Sequence, residues 1–214
     1  MVDLELSGQK ALVTGASKGI GFGIARRLAL EGCDVHLVSR DREDLRRAQG
    51  VLVALNPSVS ITWTALDLSV TSQVDQLSAD HPHIDILVNN AGSIPTGNLS
   101  KVDEETWREA WDLKLFGYIS LCRGVYEHMS KRRKEAGQRV ILNIIGAGGE
   151  RPSAGYIAGA GANAGLMAIT RAMGGVSRRH GVRVLGINPG LIVTERLETM
   201  QRSLAEKKFG DPER

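Results

Sequence analysis

The chain has 214 residues, 42% of them hydrophobic and 24% charged, and its 27 Lys+Arg against 24 Asp+Glu leave a net charge of +3. That length and apolar share suit one sizeable globular domain and exclude a multidomain machine or a mainly disordered chain. So small a charge, interleaved along the sequence, gives no argument for a nucleic-acid or membrane partner.

Short apolar runs rich in β-formers alternate with longer amphipathic stretches, the pattern of βαβ units and of a parallel sheet covered by helices. Lys10 to Val13 is expected as the first strand, followed by a helix from Ile20 to Glu31 closed by Gly32, and by a second strand from Asp34 to Ser39. Asp41 to Leu55 carries charge on one face and Leu45, Ala48, Val51, Leu52 and Leu55 on the other, which predicts an amphipathic helix stopped by Asn56-Pro57. Ser60 to Leu66 is a third strand, Thr71 to Asp80 a helix, and Ile84 to Val88 a buried central strand. Helical spacing then persists from Asp103, a suitable N-cap, through Trp107, Trp111, Leu115, Ile119, Leu121 and Val125 to about Glu135, with Gly137 as the stop. Arg139 to Ile145 is the fifth strand and Ala154 to Arg179 a helix despite six glycines, each costing about 1 kcal/mol relative to alanine. So many glycines predict close approach of another backbone, a cofactor or a subunit. Arg183 to Ile187 is the sixth strand, Asn188-Pro189-Gly190 a turn, and Glu195 to Phe209 a last helix.

Two cysteines, Cys33 and Cys122, show neither Cys-x-x-Cys spacing nor a local histidine cluster, so no disulfide framework or thiolate metal site is expected. The start Met1-Val2-Asp3-Leu4-Glu5-Leu6 is acidic where a signal peptide is basic, and no apolar run approaches the roughly 18 residues of a membrane span. A soluble, cytoplasmic protein is expected.

The first strand runs into Thr14-Gly15-Ala16-Ser17-Lys18-Gly19-Ile20-Gly21, a G-x-x-x-G-x-G loop that opens a helix. Glycines let the backbone approach a pyrophosphate, and the exposed N–H groups and helix dipole attract its charge. Placed between strand and helix at the head of a βαβ series, the loop points to dinucleotide binding. Without a terminal Gly-Lys-Ser/Thr it is not a P-loop.

Together with Asp67 after the third strand, Asn89-Asn90-Ala91-Gly92 after the fourth and Asn188-Pro189-Gly190-Leu191-Ile192-Val193-Thr194 after the sixth, this loop resembles the short-chain dehydrogenase/reductase family over nearly the whole chain. The resemblance implies an α/β fold, a doubly wound Rossmann-like three-layer αβα sandwich with a mainly parallel sheet, forming a single dinucleotide-binding domain over residues 1–214. It implies that Gly15, Ser17, Gly19, Ile20 and Gly21 surround the phosphates and neighbouring ribose, and that Asp67 and Leu68 lie beside the adenine. Asn90, Ala91 and Gly92 then run along the cofactor, with Gly190, Ile192 and Thr194 near the nicotinamide. The family's paired helices imply a homodimer or homotetramer. The family continues with a further strand and helix beyond Asp211-Pro212-Glu213-Arg214, so a sheet lacking its last strand is expected.

An acidic residue at the end of the second strand would bind the ribose hydroxyls and repel a 2′-phosphate, but Ser39 stands there, followed by Arg40, whose guanidinium can pair with phosphate. With Lys18 as a second cation, NADP(H) is expected over NAD(H). The competing expectation pairs Arg40 with Asp41 or Asp44 at the surface.

Relatives with dehydrogenase activity carry a Tyr-x-x-x-Lys pair, a serine after the fifth strand and an asparagine on the fourth helix. Here Gly159 falls at the tyrosine position, Asn163 at the lysine, Gly146 at the serine and Lys114 at the asparagine. Lysine and asparagine have thus traded helices, and Tyr156 lies one turn before the usual tyrosine. A relocated acid/base set of Tyr156, Lys114 and Asn163 is one expectation, with the ammonium of Lys114 lowering the pKa of the phenol. Tyr156 packed in a wall and Lys114 capping a carbonyl is the other. Two functions follow: an NAD(P)-dependent oxidoreductase acting on an alcohol or carbonyl, or a non-catalytic NADP(H)-binding regulatory or scaffold protein. His81-Pro82-His83 is expected to be a turn, Lys131-Arg132-Arg133-Lys134 a solvated helix end, Trp107 and Trp111 packing residues, and Glu150 and Arg151 either pocket residues or an exposed ion pair.

Overall fold

The computed structural model describes residues 4–132, 139–194, 198, 201–202, 205–206 and 209–211. Six strands form one sheet in the order β3-β2-β1-β4-β5-β6: β1 (Lys10–Thr14), β2 (Asp34–Ser39), β3 (Ile61–Ala65), β4 (Ile86–Asn89), β5 (Arg139–Ile144) and β6 (Val182–Ile187). Every pairing is parallel, with Val13 opposite Leu37 on β2 and opposite Val88 on β4. Parallel neighbours need crossovers, and these are α1 (Gly19–Leu30), α2 (Arg42–Leu55), α3 (Thr71–Asp80), α4 (Glu104–Trp111), α5 (Gly117–Lys131) and α6 (Ile157–Ser177). Asp41 and Asp103 cap α2 and α4 by accepting the N–H of Asp44 and Thr106 at 2.8 Å.

Alternation along the strands sorts the core into two faces. Ala11, Val13, Val35 and Leu37 pack with Ala25 and Ala29 of α1 and Leu45 and Leu52 of α2. Leu12, Leu87 and Ile141 face the other way, onto Val74 and Leu77 of α3 and Leu121, Val125 and Met129 of α5. A third cluster joins α4, α5 and α6 through Ala110, Tyr118, Ala158, Ala162 and Leu166, with Trp107 and Trp111 against it. The strand order reverses between β1 and β4, which opens a crevice at their C-terminal ends. Beneath it, a buried amide chain ties the sheet together: Asn89 Nδ2 donates to Asn143 Oδ1 at 2.9 Å, and Asn143 Nδ2 to Thr170 Oγ1 of α6 at 2.9 Å.

The long helix expected from Asp103 is interrupted by a π-helical segment, Asp112–Phe116, between α4 and α5. Gly117, just after it, lies so close to the Leu68 carbonyl that a Cβ would stand 2.8 Å from that oxygen. The expected glycine-rich helix starts later than Ala154 because Tyr156 at its N-cap has φ −142° and ψ 41°. Its glycines receive side chains of the same chain: a Cβ on Gly161 would stand 3.2 Å from the Trp111 ring, and one on Gly159 would fall inside the Tyr156 ring. β6 lies at one edge with Leu185 and Ile187 each 49% exposed. Gly137 and most of the helix expected over 195–209 lie outside the described residues.

His36, on β2, is buried between two hydroxyls, Thr62 Oγ1 at 2.8 Å from Nδ1 and Thr64 Oγ1 at 3.0 Å from Nε2. His81 packs against it with ring centroids 4.0 Å apart and the planes tilted by 44°, which places the expected turn against the sheet. Burial, with the His81 ring as the smaller cause, pushes the His36 imidazole down to about 4. The folded chain therefore resists a proton that the unfolded chain binds near 6.5, so this contribution is complete above pH 6.5 and is lost as pH falls toward 4. We expect it to remove about 3 kcal/mol of stability across that window. Urea denaturation at about pH 7.5 and about pH 4.5 checks it, and the non-titrating His36→Gln variant should show a correspondingly shallower pH dependence.

Candidate cofactor cleft and active site

The glycine loop sits at the reversal of the sheet. Gly15 has φ +61°, and a Cβ on it would stand 2.9 Å from Asn90 Nδ2 and 3.0 Å from the Ala91 backbone. Gly21 is tighter, since its Cβ would fall 2.2 Å from the Gly15 carbonyl oxygen. Asn90 closes the loop by donating to the carbonyls of Thr14 and Gly15 at 3.0 and 3.2 Å. Thr14, which sequence reasoning passed over, organises the junction: its hydroxyl oxygen accepts the N–H of Asn90 at 2.8 Å and of Ala91 at 3.0 Å. A polar residue ending an otherwise apolar buried strand was the available signal. Gly19 and Ile20 begin α1, whose N-cap Lys18 makes no capping bond through its side chain and whose first turn holds no acid. Those helix N–H groups and the glycine cradle fit an anionic dinucleotide.

At the end of β2, Ser17 Oγ donates to Ser39 Oγ at 3.1 Å. Arg40 meets Asp67 at 3.8 Å and Lys18 meets Asp44 at 3.5 Å, so the expected pairing of Arg40 with Asp41 or Asp44 is replaced by one with Asp67. Burial raises the Asp67 pKa, but hydrogen bonds from the Ser69 N–H and hydroxyl and the charge of Arg40 outweigh it and hold the carboxyl below its usual range. Leu68 is buried beneath this corner. Of the segment after β6, Thr194 approaches Gly19, whose Cβ would stand 3.7 Å from the threonine methyl, whereas Gly190 is exposed and Ile192 is 48% exposed.

The candidate acid/base residues converge on the loop after β5. Lys114 projects from the π segment across Gly92, where a Cβ would stand 2.9 Å from its Cδ, and Nζ donates to the Ile145 carbonyl at 2.7 Å. π-helical turns recur at functional sites because the extra residue redirects a side chain. Tyr156 enters the same loop from the start of α6, its ring 3.3 Å from where a Cβ on Gly148 would be. A two-bond bridge pins its backbone: the Gly97 N–H donates to Gly155 O at 2.7 Å and the Ile157 N–H to Gly97 O at 3.3 Å. The Tyr156 ring lies on Gly159, where the resemblance places the tyrosine of relatives. Asn163 is 2% exposed, and its amide nitrogen would be 3.2 Å from a Cβ on Gly146.

The remaining candidates resolve into structural roles. Glu150 accepts from Asn188 Nδ2 at 2.6 Å, rather than from Arg151. Lys131 pairs with Glu127, and Arg132 with Asp85 at 2.7 Å, while Arg133 and Lys134 lie outside the described residues. Trp107 and Trp111 meet edge-on at 6.0 Å, and Trp111 Nε1 donates to the Ala158 carbonyl. Among the described residues no group of three or more possible metal ligands occurs, and no helix is long and apolar enough to cross a membrane.

A family model described as short chain dehydrogenase matches residues 9–205. The chain is 30% identical over 208 residues to a 3-oxoacyl-[acyl-carrier-protein] reductase of Chlamydia pneumoniae, covering 95% of this chain and 81% of that protein. It is 31% identical to a gluconate 5-dehydrogenase of Gluconobacter oxydans, covering 96% of this chain and 78% of that one. Among solved structures, L-sorbose reductase from Gluconobacter frateurii, complexed with NADPH and L-sorbose, superposes with a TM-score of 0.89 at 28% identity, covering 99% of this chain and 80% of that one. With the family model spanning most of the sequence and the six-stranded parallel sheet carrying its glycine loop at the reversal point, the chain belongs to the short chain dehydrogenase family and is an NAD(P)-dependent oxidoreductase of that type.

Proposed function

We propose that the chain is a single dinucleotide-binding domain that uses NADP(H) to interconvert a small-molecule carbonyl and its alcohol, with Lys114 and Tyr156 as its acid/base pair. The observation that carries this reading is the convergence of the Lys114 ammonium, at Ile145, and the Tyr156 ring, at Gly148, on one loop beside Gly92. The nicotinamide, when bound, supplies or accepts the hydride. In the reducing direction the carbonyl π electrons move onto oxygen as the carbon receives hydride, and the Tyr156 hydroxyl gives that oxygen its proton. The Lys114 ammonium stabilises the phenolate left behind, and proton return from solvent closes the cycle.

The preference for NADP(H) rests on Ser39 in place of an acid and on the exposed cations Arg40 and Lys18. Their contacts with Asp67 and Asp44 are long and solvent-screened, so a 2′-phosphate competes well for both. Arg40→Ala should weaken NADPH binding by about tenfold while leaving NADH binding nearly unchanged, as calorimetric titration will read. NADPH oxidation, followed at the nicotinamide absorbance over a panel of ketones that includes ethyl acetoacetate and L-sorbose, tests the activity; binding without turnover across the panel would favour the regulatory alternative.

The exposed face of α6 carries Gly161, Ala164, Ala168 and Ala172, and Phe116 is 52% exposed on the π segment. A face of small residues with Arg171 beside them supports a homodimer or homotetramer, which sedimentation would read. Cys33 and Cys122 are buried free thiols rather than a disulfide, the cysteine usage expected of a reducing compartment such as the cytoplasm.

A further inference from the structure

A side-chain hydrogen bond joins two segments at the C-terminal end of the sheet. The loop after β5 carries the Ile145 carbonyl that holds the Lys114 ammonium, and Gly148, against which the Tyr156 ring lies. The segment after β6 turns at Asn188-Pro189-Gly190 and reaches Thr194, whose methyl comes 3.7 Å from where a Cβ on Gly19 of the dinucleotide loop would stand. Between the two, Asn188 Nδ2 donates to Glu150 Oε1 at 2.6 Å. An ionised carboxylate only accepts, so the donor end of the Asn188 carboxamide is the one that faces it.

The loop after β5 is held differently on its two sides. Toward α6 it is packed, since a Cβ on Gly149 would stand 2.8 Å from the Ala164 nitrogen and one on Gly146 3.2 Å from the Asn163 amide. Toward β6 it is held by hydrogen bonds: the Ile145 N–H donates to the Ile187 carbonyl at 2.8 Å and the Ala147 N–H to the Pro189 carbonyl at 2.9 Å. Past Ala147 the chain turns on itself, with the N–H groups of Glu150 and Arg151 both reaching the Ala147 carbonyl at 3.0 Å. Those bonds close the turn without tying it to the segment after β6, and the Glu150 side chain supplies that tie. The tie matters because Gly146, Gly148 and Gly149 leave the run with Ala147 as its one residue bearing a side chain, and glycine loses the most chain freedom on ordering.

We propose that Glu150 and Asn188 are positioning residues for the reduction: their bond keeps the loop that seats Tyr156 in register with the segment that runs to the dinucleotide loop. This rests on the reading of Tyr156 as the proton donor. Hydride and proton must reach adjacent atoms of one carbonyl, the carbon from the cofactor and the oxygen from the phenol. A drift of one segment against the other misplaces one of the two even when cofactor and substrate are both bound. Neither Glu150 nor Asn188 gives or takes a proton in the step.

The test exchanges donor and acceptor. Asn188→Asp keeps the shape of the side chain and its enclosed oxygen but turns the donor into a carboxylate oxygen facing Glu150, so the two repel. Adding Glu150→Gln places a carboxamide N–H opposite that carboxylate and rebuilds the bond in the reverse sense. In the full chain saturated with NADP+, peptides spanning residues 145–151 should exchange amide hydrogens faster in Asn188→Asp than in the parent and return to the parent rate in the double variant, while peptides from α2 stay unchanged. With NADPH and a ketone of the panel that the parent reduces, Asn188→Asp should lower kcat by about 10- to 10²-fold with little change in the Kd for NADPH, and the double variant should recover most of the loss. Glu150→Ala breaks the same bond at an exposed position without opposing two charges, should show the same faster exchange and lower kcat, and keeps the test decisive if Asn188→Asp does not fold. A double variant no better than Asn188→Asp overturns the assignment. So does a lowered melting temperature with kcat at the parent value, the mark of a bond that serves stability alone. Exchange that follows the swap in a chain that oxidises no NADPH keeps the tie and removes the reductase reading together with the role built on it, whereas NADPH oxidation indifferent to these variants keeps that reading and removes the positioning role.

Discussion

Tyr156→Phe should reduce turnover by about 10²- to 10⁴-fold, the span that general acid catalysis contributes, while NADPH affinity and thermal stability stay close to the parent. The ring would keep its place on Gly159 and against Gly148, so only the transferable proton is lost. Lys114→Met should match it in direction, because a side chain of similar length still crosses Gly92 while the ammonium at the Ile145 carbonyl is removed. Gly159→Ala offers a third, independent route to the same result. A methyl there would stand 2.0 Å from the Tyr156 Cζ, so the ring must leave, although position 159 lies on α6 where alanine is otherwise a better helix former than glycine. Steady-state kinetics beside calorimetric NADPH titration separates these effects. If all three variants turn over as the parent does, Tyr156 is a wall residue and the acid lies elsewhere.

Gly21→Ala should abolish measurable dinucleotide binding. The added methyl would fall 2.2 Å from the Gly15 carbonyl oxygen and 2.5 Å from Asn90 Nδ2, and neither atom can yield alone. Asn90 is fixed by its bonds to the Thr14 and Gly15 carbonyls, and Gly15 has a left-handed backbone against Ala91. The loop must open, which moves the backbone proposed to face the pyrophosphate and costs about 1–3 kcal/mol as overpacking. Gly23→Ala, two residues on along α1, is the control, because its Cβ would meet nothing within 4 Å. It should bind NADPH normally and gain up to about 1 kcal/mol of helix stability. Parallel melting curves and titrations of the two variants check both halves of the prediction.

The glycine loop and the order of strands and helices were legible along the chain because they depend on local chemistry. A strand must end before a glycine turn, a helix must follow it, and the apolar period switches between the two. The Asp103 cap was equally local, in that an acid three residues before an open N–H is a short-range fact. Element ends shifted by one to three residues where turns and carbonyl bonds, rather than periodicity, set the boundary.

The chemistry of the active site was legible only as a list of residue types. The exchange of lysine and asparagine between two helices appears in the sequence, but Lys114 reaches the loop after β5 because a π turn redirects it, and the spacing of Asp112 to Phe116 does not announce that turn. The Tyr156 ring reaches Gly159 only because the Gly97 bridge holds its backbone, a pairing across loops far apart in the chain. The partner of Arg40 was likewise set by space: Asp67, 27 residues on, lies nearer than the acids beside it. Sequence by itself determined the family and the cofactor loop, since those rest on contacts between neighbours. Tertiary structure alone decided which of the candidate side chains meet, because bringing Lys114 of the π segment and Tyr156 and Asn163 of α6 to the loop after β5 requires two helical elements to cross over a sheet, which no local pattern encodes.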